Sequence, residues 1–344
     1  MSLKEIASRV GTSVTTVSLV LNQKDVRVSN EKRTEILNVA REIGYAKRTI
    51  EKSLRSIGVI VPNICNAYYA ELVKEIIRCA QKNGYNTILC DSDTSEEGDL
   101  TNLENLRQSG VDGIIIAMSL SSEGGLEKMR RLLRKRFWPA KIPIIMLDRI
   151  NASFNTYSIC VNHYQGAYLA VEYLLSLGHS RIACLSGPMS LGVTNDRLEG
   201  YRDAMREAGA LDEALIVEAG FDQNSGYEAF DQLEGKDFTA VFAMNDEVAV
   251  GACFRAQEKG IRIPEDISII GYDDTSSTRF NSVALSTVRQ PIQEMVRLSI
   301  SMILDAIRAQ ENPAIRNNIV LQPELVIRRS TAECRKDKRP YESL

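Results

Sequence analysis

Residues 2–22 read SLKEIASRVGTSVTTVSLVLN, and their first half repeats apolar residues at helical spacing: Leu3, Ile6, Ala7 and Val10. Ser2 stands three residues before Glu5, the spacing of a capping box, so a helix opens there and ends at Gly11. Gly11-Thr12-Ser13 suits a tight turn, and Ser13 is placed to cap a second short helix with Val17 and Leu21 facing inward. Its outward face carries Thr15, Ser18, Leu19 and Asn22. After a polar loop with Lys24 and Arg27, Ser29 caps a third helix that buries Ile36, Ala40 and Ile43 and stops at Gly44. Three helices with a tight turn between the first two describe a helix-turn-helix.

A helix reads the major groove of DNA only if its exposed side chains are short or polar enough to meet base edges. Thr15 and Thr16 qualify through hydroxyl and methyl, and Val14 and Leu19 add apolar contacts. Residues 1–56 hold eleven Lys/Arg and six Asp/Glu, whereas the whole chain sums to −3, so a polyanion partner suits only the N-terminal part. Spacing alone leaves open a plain three-helix domain with threonines on its surface.

The run Ile6-Ala7…Gly11-Thr12-Ser13-Val14-Thr15-Thr16-Val17-Ser18…Val20-Leu21-Asn22, then Val28-Ser29…Arg33…Ile36…Ala40…Ile43-Gly44-Tyr45, resembles the headpiece of LacI-family (LacI/GalR) bacterial transcription repressors. The resemblance implies that Ser13, Val14, Thr15, Thr16, Ser18, Leu19, Asn22, Arg27, Ser29 and Tyr45 face double-stranded operator DNA. It also implies a hinge helix after Tyr45, with Leu54 of the Ser53-Leu54 pair wedged into the minor groove. Two departures stand out: Tyr45-Ala46-Lys47-Arg48 replaces the family's Tyr-x-Pro-Asn, and only Arg55 and Ser56 separate Leu54 from Ile57. Leu54 is therefore either the wedge or a packing leucine at the edge of the body.

From residue 56 short apolar runs alternate with amphipathic stretches, the pattern of parallel sheets with helical crossovers. The runs are Ile57–Val61, Thr87–Cys90, Gly113–Met118, Ile144–Leu147, Ser158–Val161, Ile182–Leu185, Ala240–Ala243 and Ser268–Gly271. Helices are predicted at Tyr69–Asn83, Glu97–Ser109, Tyr164–Leu177, Arg197–Ala208, Asp246–Lys259 and Ile292–Ala309. Such a length is too much for one core, so the expected fold is an all-α helix-turn-helix headpiece plus an α/β core of two doubly wound parallel-sheet lobes. The expected divisions are a headpiece at 1–45, a hinge at 46–56, a core at 57–334 and a disordered tail at 335–344. Within the core, one lobe takes about 57–160 and 291–320, the other about 161–290 and 321–334.

Open parallel sheets bind ligands beyond the carboxyl ends of their strands. Those ends carry Asp91, Asp148-Arg149, Asn162, Asn245-Asp246 and Asp273-Asp274, groups that pair with vicinal hydroxyls, while Tyr68, Tyr69 and Phe221 could stack on a sugar ring. Each such Asp or Asn is equally placed to cap the next helix, and Asp246 reads as a cap only.

Over residues 57–331 the body resembles the LacI-family core, itself similar to periplasmic sugar-binding proteins. The shared motifs include Leu177-Gly178-His179, Gly187-Pro188, Arg197-Leu198-Glu199-Gly200-Tyr201, Ala240–Asp246, Pro264–Asp274 and Gln290-Pro291. The resemblance implies effector contacts from Asn66, Tyr68, Tyr69, Asp91, Asp148, Arg149, Arg197, Phe221, Asn245, Asp273 and Gln290, a set most like that of ribose-type binding proteins. Val161-Asn162-His163 stands where the family usually has Val-Asp-Asn, which removes a carboxylate.

Other classes fit poorly. The composition, 44% hydrophobic and 25% charged, is that of a globular protein, no apolar run is long enough to span a membrane, and the charged N-terminus is no signal core, so a cytosolic protein is expected. Seven scattered cysteines without Cys-x-x-Cys suggest neither a disulfide framework nor a metal. With His163 and His179 the only histidines and no phosphate-binding glycine loop, no catalytic pair and no cofactor are expected. Met129–Phe137 (MRRLLRKRF) is either a solvated basic face or a seat for an anionic partner. The expected function is a sugar-controlled, operator-binding transcription repressor acting as a homodimer; the alternative is a cytosolic sugar-binding protein whose N-terminal helices only dimerise it.

Overall fold

The computed structural model describes residues 3–21, 26, 28–42, 55–118, 122–148, 154, 156–280, 282–309 and 318–334. Of the expected contacts, Asn22, Arg27, Tyr45, Leu54 and Arg149 lie outside these residues, as do residues 46–54 of the expected hinge and the 335–344 tail. Two compact units are present, Met1–Leu54 and Arg55–Leu344.

In the first unit, helices Leu3–Val10, Val14–Leu21 and Asn30–Glu42 bury one small core. Ile6, Ala7 and Val10 meet Val17, Val20 and Leu21 of the second helix and Ile36 and Ala40 of the third. Gly11 turns the chain at φ +65°, a left-handed conformation that side chains other than glycine adopt at a cost. Ser13 Oγ then accepts the Thr16 N–H at 3.0 Å and Ser29 Oγ accepts the Lys32 N–H at 3.2 Å, so both serines cap as expected.

The strands of the second unit, among the described residues, are β1 (Ser56–Val61), β2 (Asn86–Asp91), β3 (Gly113–Ala117), β4 (Ile144–Leu147), β5 (Tyr157–Val161), β6 (Ile182–Ser186), β7 (Ile216–Glu218), β8 (Ala240–Ala243), β9 (Ser268–Ile270), β10 (Thr287–Arg289), β11 (Asn318–Leu321) and β12 (Glu324–Val326). They form a six-stranded parallel sheet in the order β11-β5-β4-β3-β1-β2 and a four-stranded parallel sheet in the order β7-β6-β8-β9. An antiparallel pair, β10–β12, stands beside the second sheet.

Alternation explains why these runs are apolar throughout. Val59 and Val61 of β1 face one core while Ile60 faces another, and Ile115 of β3 opposes Ile114 and Ile116 in the same way. The chain passes between the lobes at Asn162, at Gln290-Pro291 and at Gln322-Pro323, so parts of both lobes come from distant sequence.

Three expectations are corrected. The helix expected at Arg197 starts five residues earlier, Gly192–Glu207, because Thr194 and Arg197 lie on its buried side where the periodicity gives no apolar signal. Asp246 does not cap its helix; Asn245 does, accepting the Val248 N–H at 2.9 Å. The fully buried Asp246 carboxylate instead accepts the Thr287 hydroxyl at 2.6 Å and the Thr275 N–H at 2.8 Å. Strand β7 and the helix Gln223–Asp231, which periodicity misses, are both short. In the basic stretch 129–137, Met129, Leu133 and Phe137 are buried at four-residue spacing and the cations Arg134, Lys135 and Arg136 are exposed, as a solvated face and a seat for an anionic partner both require.

Gly166 lets the helix His163–Ser176 pack closely within the second lobe: a Cβ there would lie 2.4 Å from Tyr272 Oη and 3.0 Å from Pro323 Cγ. Gly166→Ala is expected to displace Tyr272 and destabilise the body by about 1–3 kcal/mol. An unchanged denaturation midpoint in urea would show that this packing gives way freely.

Candidate functional site

The ends of β4 and β9 carry the site's carboxylates. Asp148, just after β4, has φ +54°, and Asp273 and Asp274, shortly after β9, have φ +115° and +58°. Non-glycine residues held there cost on the order of 1–3 kcal/mol each and persist where the surroundings fix them. Here each carboxylate is fixed by partners.

A chain of polar contacts crosses the cleft. From the first lobe, Tyr68 Oη donates to Asp148 Oδ2 at 3.0 Å, and Asp148 Oδ1 lies 3.6 Å from His163 Nε2. On the far side of the imidazole, Nδ1 faces Arg197 Nε at 3.3 Å, Arg197 Nη2 at 3.2 Å and the Tyr272 hydroxyl at 3.2 Å. The Arg197 guanidinium lies 3.8 Å over the Tyr272 ring and donates Nη1 to the Met244 carbonyl. Its Nη2 stands 3.7 Å from Asp273 Oδ1, which accepts Gln290 Nε2 at 2.7 Å.

Two further contacts join the lobes. Asn66 Nδ2 reaches the Phe221 carbonyl at 3.4 Å, which also accepts Asn245 Nδ2 at 3.0 Å, and Glu71 Oε1 accepts the Ser276 N–H at 2.7 Å. Asn66 and Asn245 each use the side-chain oxygen as a helix cap and the amide nitrogen on Phe221, so capping leaves half of each side chain for the cleft. Tyr69 packs edge-on against Tyr68, with ring centroids 5.2 Å apart, and both Tyr69 and Phe221 remain half-buried.

Asp91 does not join this chain. It is exposed, and its carboxylate accepts the Ile64 N–H at 2.7 Å and the Asp93 N–H at 2.7 Å, tying together the loops that follow β1 and β2. Asp148 Oδ1, His163 Nε2, Gln290 Oε1 and Thr194 Oγ1 are buried without a hydrogen-bond partner. Buried polar atoms are costly to leave unpaired, and this group, gathered around one cleft, marks it as a place made for a polar ligand.

Burial shapes the charges. The Asp273 carboxyl is pushed up to about 7 by burial, against the pull of Arg197 and Gln290. Burial and the nearby guanidinium push the His163 imidazole below its ordinary value, which keeps it neutral. Burial and the neighbouring Asp148 raise both the Tyr68 and the Tyr69 hydroxyls.

Sequence reading passed over His163, Tyr272 and Thr194. His163 was marked by the departure at Val161-Asn162-His163 and Tyr272 lies inside the Gly271-Tyr272-Asp273 motif, whereas Thr194 carries no signal of its own. In the headpiece, Thr15 and Val14 are exposed, Leu19 and Ser18 are half-buried, and the Thr16 hydroxyl is engaged with Ser13 Oγ at 2.8 Å. No helix among the described residues is long and apolar enough to cross a membrane, and no group of His, Cys, Asp or Glu side chains among them could hold a metal.

Similarity to known proteins follows the two units. Residues 2–47 match the family of bacterial regulatory proteins described as lacI, and residues 171–331 match the periplasmic binding protein-like domain. The chain is 33% identical over 338 residues to the HTH-type transcriptional regulator DegA of Bacillus subtilis, covering 96% of this chain and 98% of that one. It is 33% identical over 341 residues to the HTH-type transcriptional repressor PurR of Edwardsiella ictaluri, covering 96% and 97%. A LacI-family transcriptional regulator from Enterococcus faecium solved with bound ribose superposes with a TM-score of 0.72 at 32% identity, over 82% of this chain and 100% of that one. The lac repressor dimer bound to operator and the anti-inducer ONPF gives a TM-score of 0.72 at 27% identity, over 96% and 99%.

Asp273 supplies a test of the buried charges. Its folded value of about 7 lies above the ordinary 3.8, so its contribution to stability is full below about pH 4 and is lost as the pH rises toward 7. Asp273→Asn should therefore gain stability relative to wild type across that window, with a slope approaching about 1.4 kcal/mol per pH unit. Parallel stability–pH curves for the two proteins would show that Asp273 ionises like a solvated carboxylate.

Proposed function

The chain belongs to the LacI family of bacterial regulatory proteins, DNA-binding transcriptional regulators, and we propose that it is a homodimeric repressor whose operator affinity is set by a ribose-type sugar held between the lobes of its body. The observation that carries the effector reading is the polar chain from Asp148 to Gln290. Arg197 is committed to His163, the Met244 carbonyl and Asp273, so among the described residues of the cleft no guanidinium is left for a phosphate. Asp148 Oδ1 and Gln290 Oε1 are acceptors that call for donors. An uncharged polyol supplies them, and Tyr69 and Phe221 offer its ring an apolar flank. The ribose held by the Enterococcus relative agrees with this chemistry.

On the DNA side the proposal assigns the headpiece to residues 1–45, the hinge to 46–56 with Leu54 as the minor-groove wedge, and the effector-binding core to 57–334. Thr15 and Val14 are the exposed residues at the start of the recognition helix. A palindromic operator mirrors a two-fold protein axis, hence a dimer. The body has apolar surface for a second copy: Phe280 is 89% and Phe254 57% exposed, and the edge strand β2 exposes Ile88 and Leu89. Sugar hydroxyls bridging Asp148 to Asp273 and Gln290 would hold the lobes closed, and closure would change operator affinity by a coupling of about 1–3 kcal/mol.

Retardation of upstream DNA fragments tests the DNA reading. Affinity should fall steeply with salt through counterion release. Thr15→Ala should lose on the order of 1–3 kcal/mol of operator discrimination with stability unchanged, and Thr16→Ala less, since its hydroxyl is already bound to Ser13. A flat salt profile would leave the protein a sugar binder that does not act on DNA. Calorimetry with ribose tests the effector: Asp273→Ala should abolish the sugar-dependent change in operator affinity, and wild-type protein that gives no heat with ribose would remove that sugar.

A further inference from the structure

His163 is the one imidazole in the cleft, and its surroundings decide which of its nitrogens carries the proton. The guanidinium of Arg197 has only donors, and two of them face His163 Nδ1, at 3.3 Å from Nε and 3.2 Å from Nη2. Nδ1 must therefore accept, so the ring, neutral in its buried position, carries its hydrogen on Nε2. That Nε2–H is buried without a partner and lies 3.6 Å from Asp148 Oδ1, an equally buried acceptor without one. The separation is too long for a direct hydrogen bond. It leaves a donor and an acceptor side by side, at a distance one oxygen can bridge. Only a group that accepts and donates at once satisfies both, and a hydroxyl does so, whereas a carbonyl, an ether or an ammonium leaves one atom unpaired.

We infer that His163 is a specificity-determining residue that contacts the effector directly, its Nε2–H donating to one sugar hydroxyl whose own hydrogen goes to Asp148 Oδ1. The inference rests on the reading of the cleft as a polyol site and adds to it the requirement for one particular hydroxyl. Arg197 acts here as a positioning residue: by occupying Nδ1 it fixes the tautomer that makes Nε2 a donor.

Two substitutions separate this role from packing. In His163→Asn the side-chain oxygen falls near the place of Nδ1 and keeps an acceptor for Arg197, but nothing replaces Nε2–H. In His163→Gln the longer amide carries an N–H to about the place of Nε2. Titration calorimetry of wild type and both variants with D-ribose and its singly deoxygenated analogues reads the difference, and thermal denaturation without sugar establishes that the variants fold. His163→Asn should bind ribose at least about tenfold more weakly and should no longer distinguish ribose from the one analogue that wild type most strongly rejects. His163→Gln should recover most of both properties. Equal weakening toward ribose and every analogue in both variants, or profiles matching wild type, would overturn the inference while leaving the sugar site standing. Wild-type protein that binds none of these sugars would overturn the ribose reading and this inference with it.

Discussion

The buried guanidinium of Arg197 is the group on which the cleft depends. A charge removed from water is tolerated only where partners replace its hydration, and Arg197, 5% exposed, collects them from three segments. The Met244 carbonyl comes from the end of β8, the Tyr272 ring and the Asp273 carboxylate from beyond β9, and His163 from the start of the helix after β5. Each of these segments sits at the carboxyl end of a parallel strand. The doubly wound topology thus brings them together although they span more than a hundred residues of sequence. Removing the guanidinium would leave the Met244 carbonyl without that donor and His163 Nδ1 with the Tyr272 hydroxyl alone, which is why Arg197 is as much architecture as site.

Beside it, Asp274 holds the frame. It is buried and meets Arg328, Arg289 at 2.7 Å and Arg279 at 3.7 Å, cations from beyond β12, from β10 and from the turn before Phe280 respectively. Asp246 binds Thr275 and Thr287 on either side of the same loop. These two carboxylates hold the loop that carries Asp273. The left-handed backbone at Asp273 and Asp274 is sustained by those fixed partners.

Much of this was legible in the residues because strands buried on both faces announce themselves as apolar runs and their ends as polar punctuation. β4, β8 and the helix Ile292–Ala309 fall where alternation and composition put them. The carboxylates and amides beyond those strands were legible as one-dimensional polar interruptions, and the headpiece by its capping serines and Gly11. What stayed hidden depends on three dimensions. Asp246 reads as a helix cap because its partners, Thr275 and Thr287, are about thirty and forty residues away. Asp91 reads as a cleft residue because position along the strand does not reveal that loop amides saturate it. Thr194 and His163 are single polar residues on helices, and nothing in helical periodicity marks a buried polar side as functional.

The distribution of apolar packing explains how such a site can act on something outside itself. The buried clusters divide cleanly: those built on β1, β3 and β4 use side chains of the first lobe, and those built on β6, β8 and β9 use side chains of the second. None of these clusters spans both lobes. The lobes are joined covalently at three crossings, and the hydrogen bonds between them among the described residues include Asn66 with Phe221 and Glu71 with Ser276. Polar contacts of this kind exchange readily with water and contribute little net free energy, so the two lobes are free to open at small cost. A ligand shifts such an equilibrium only by the difference in its affinity for the open and closed arrangements. Groups whose partners lie on opposite lobes make that difference large, because a sugar bound to one lobe alone satisfies only half of them. On the proposed reading, the unpaired atoms on Asp148 and Gln290, one on either side of the cleft, are where binding energy would become closure.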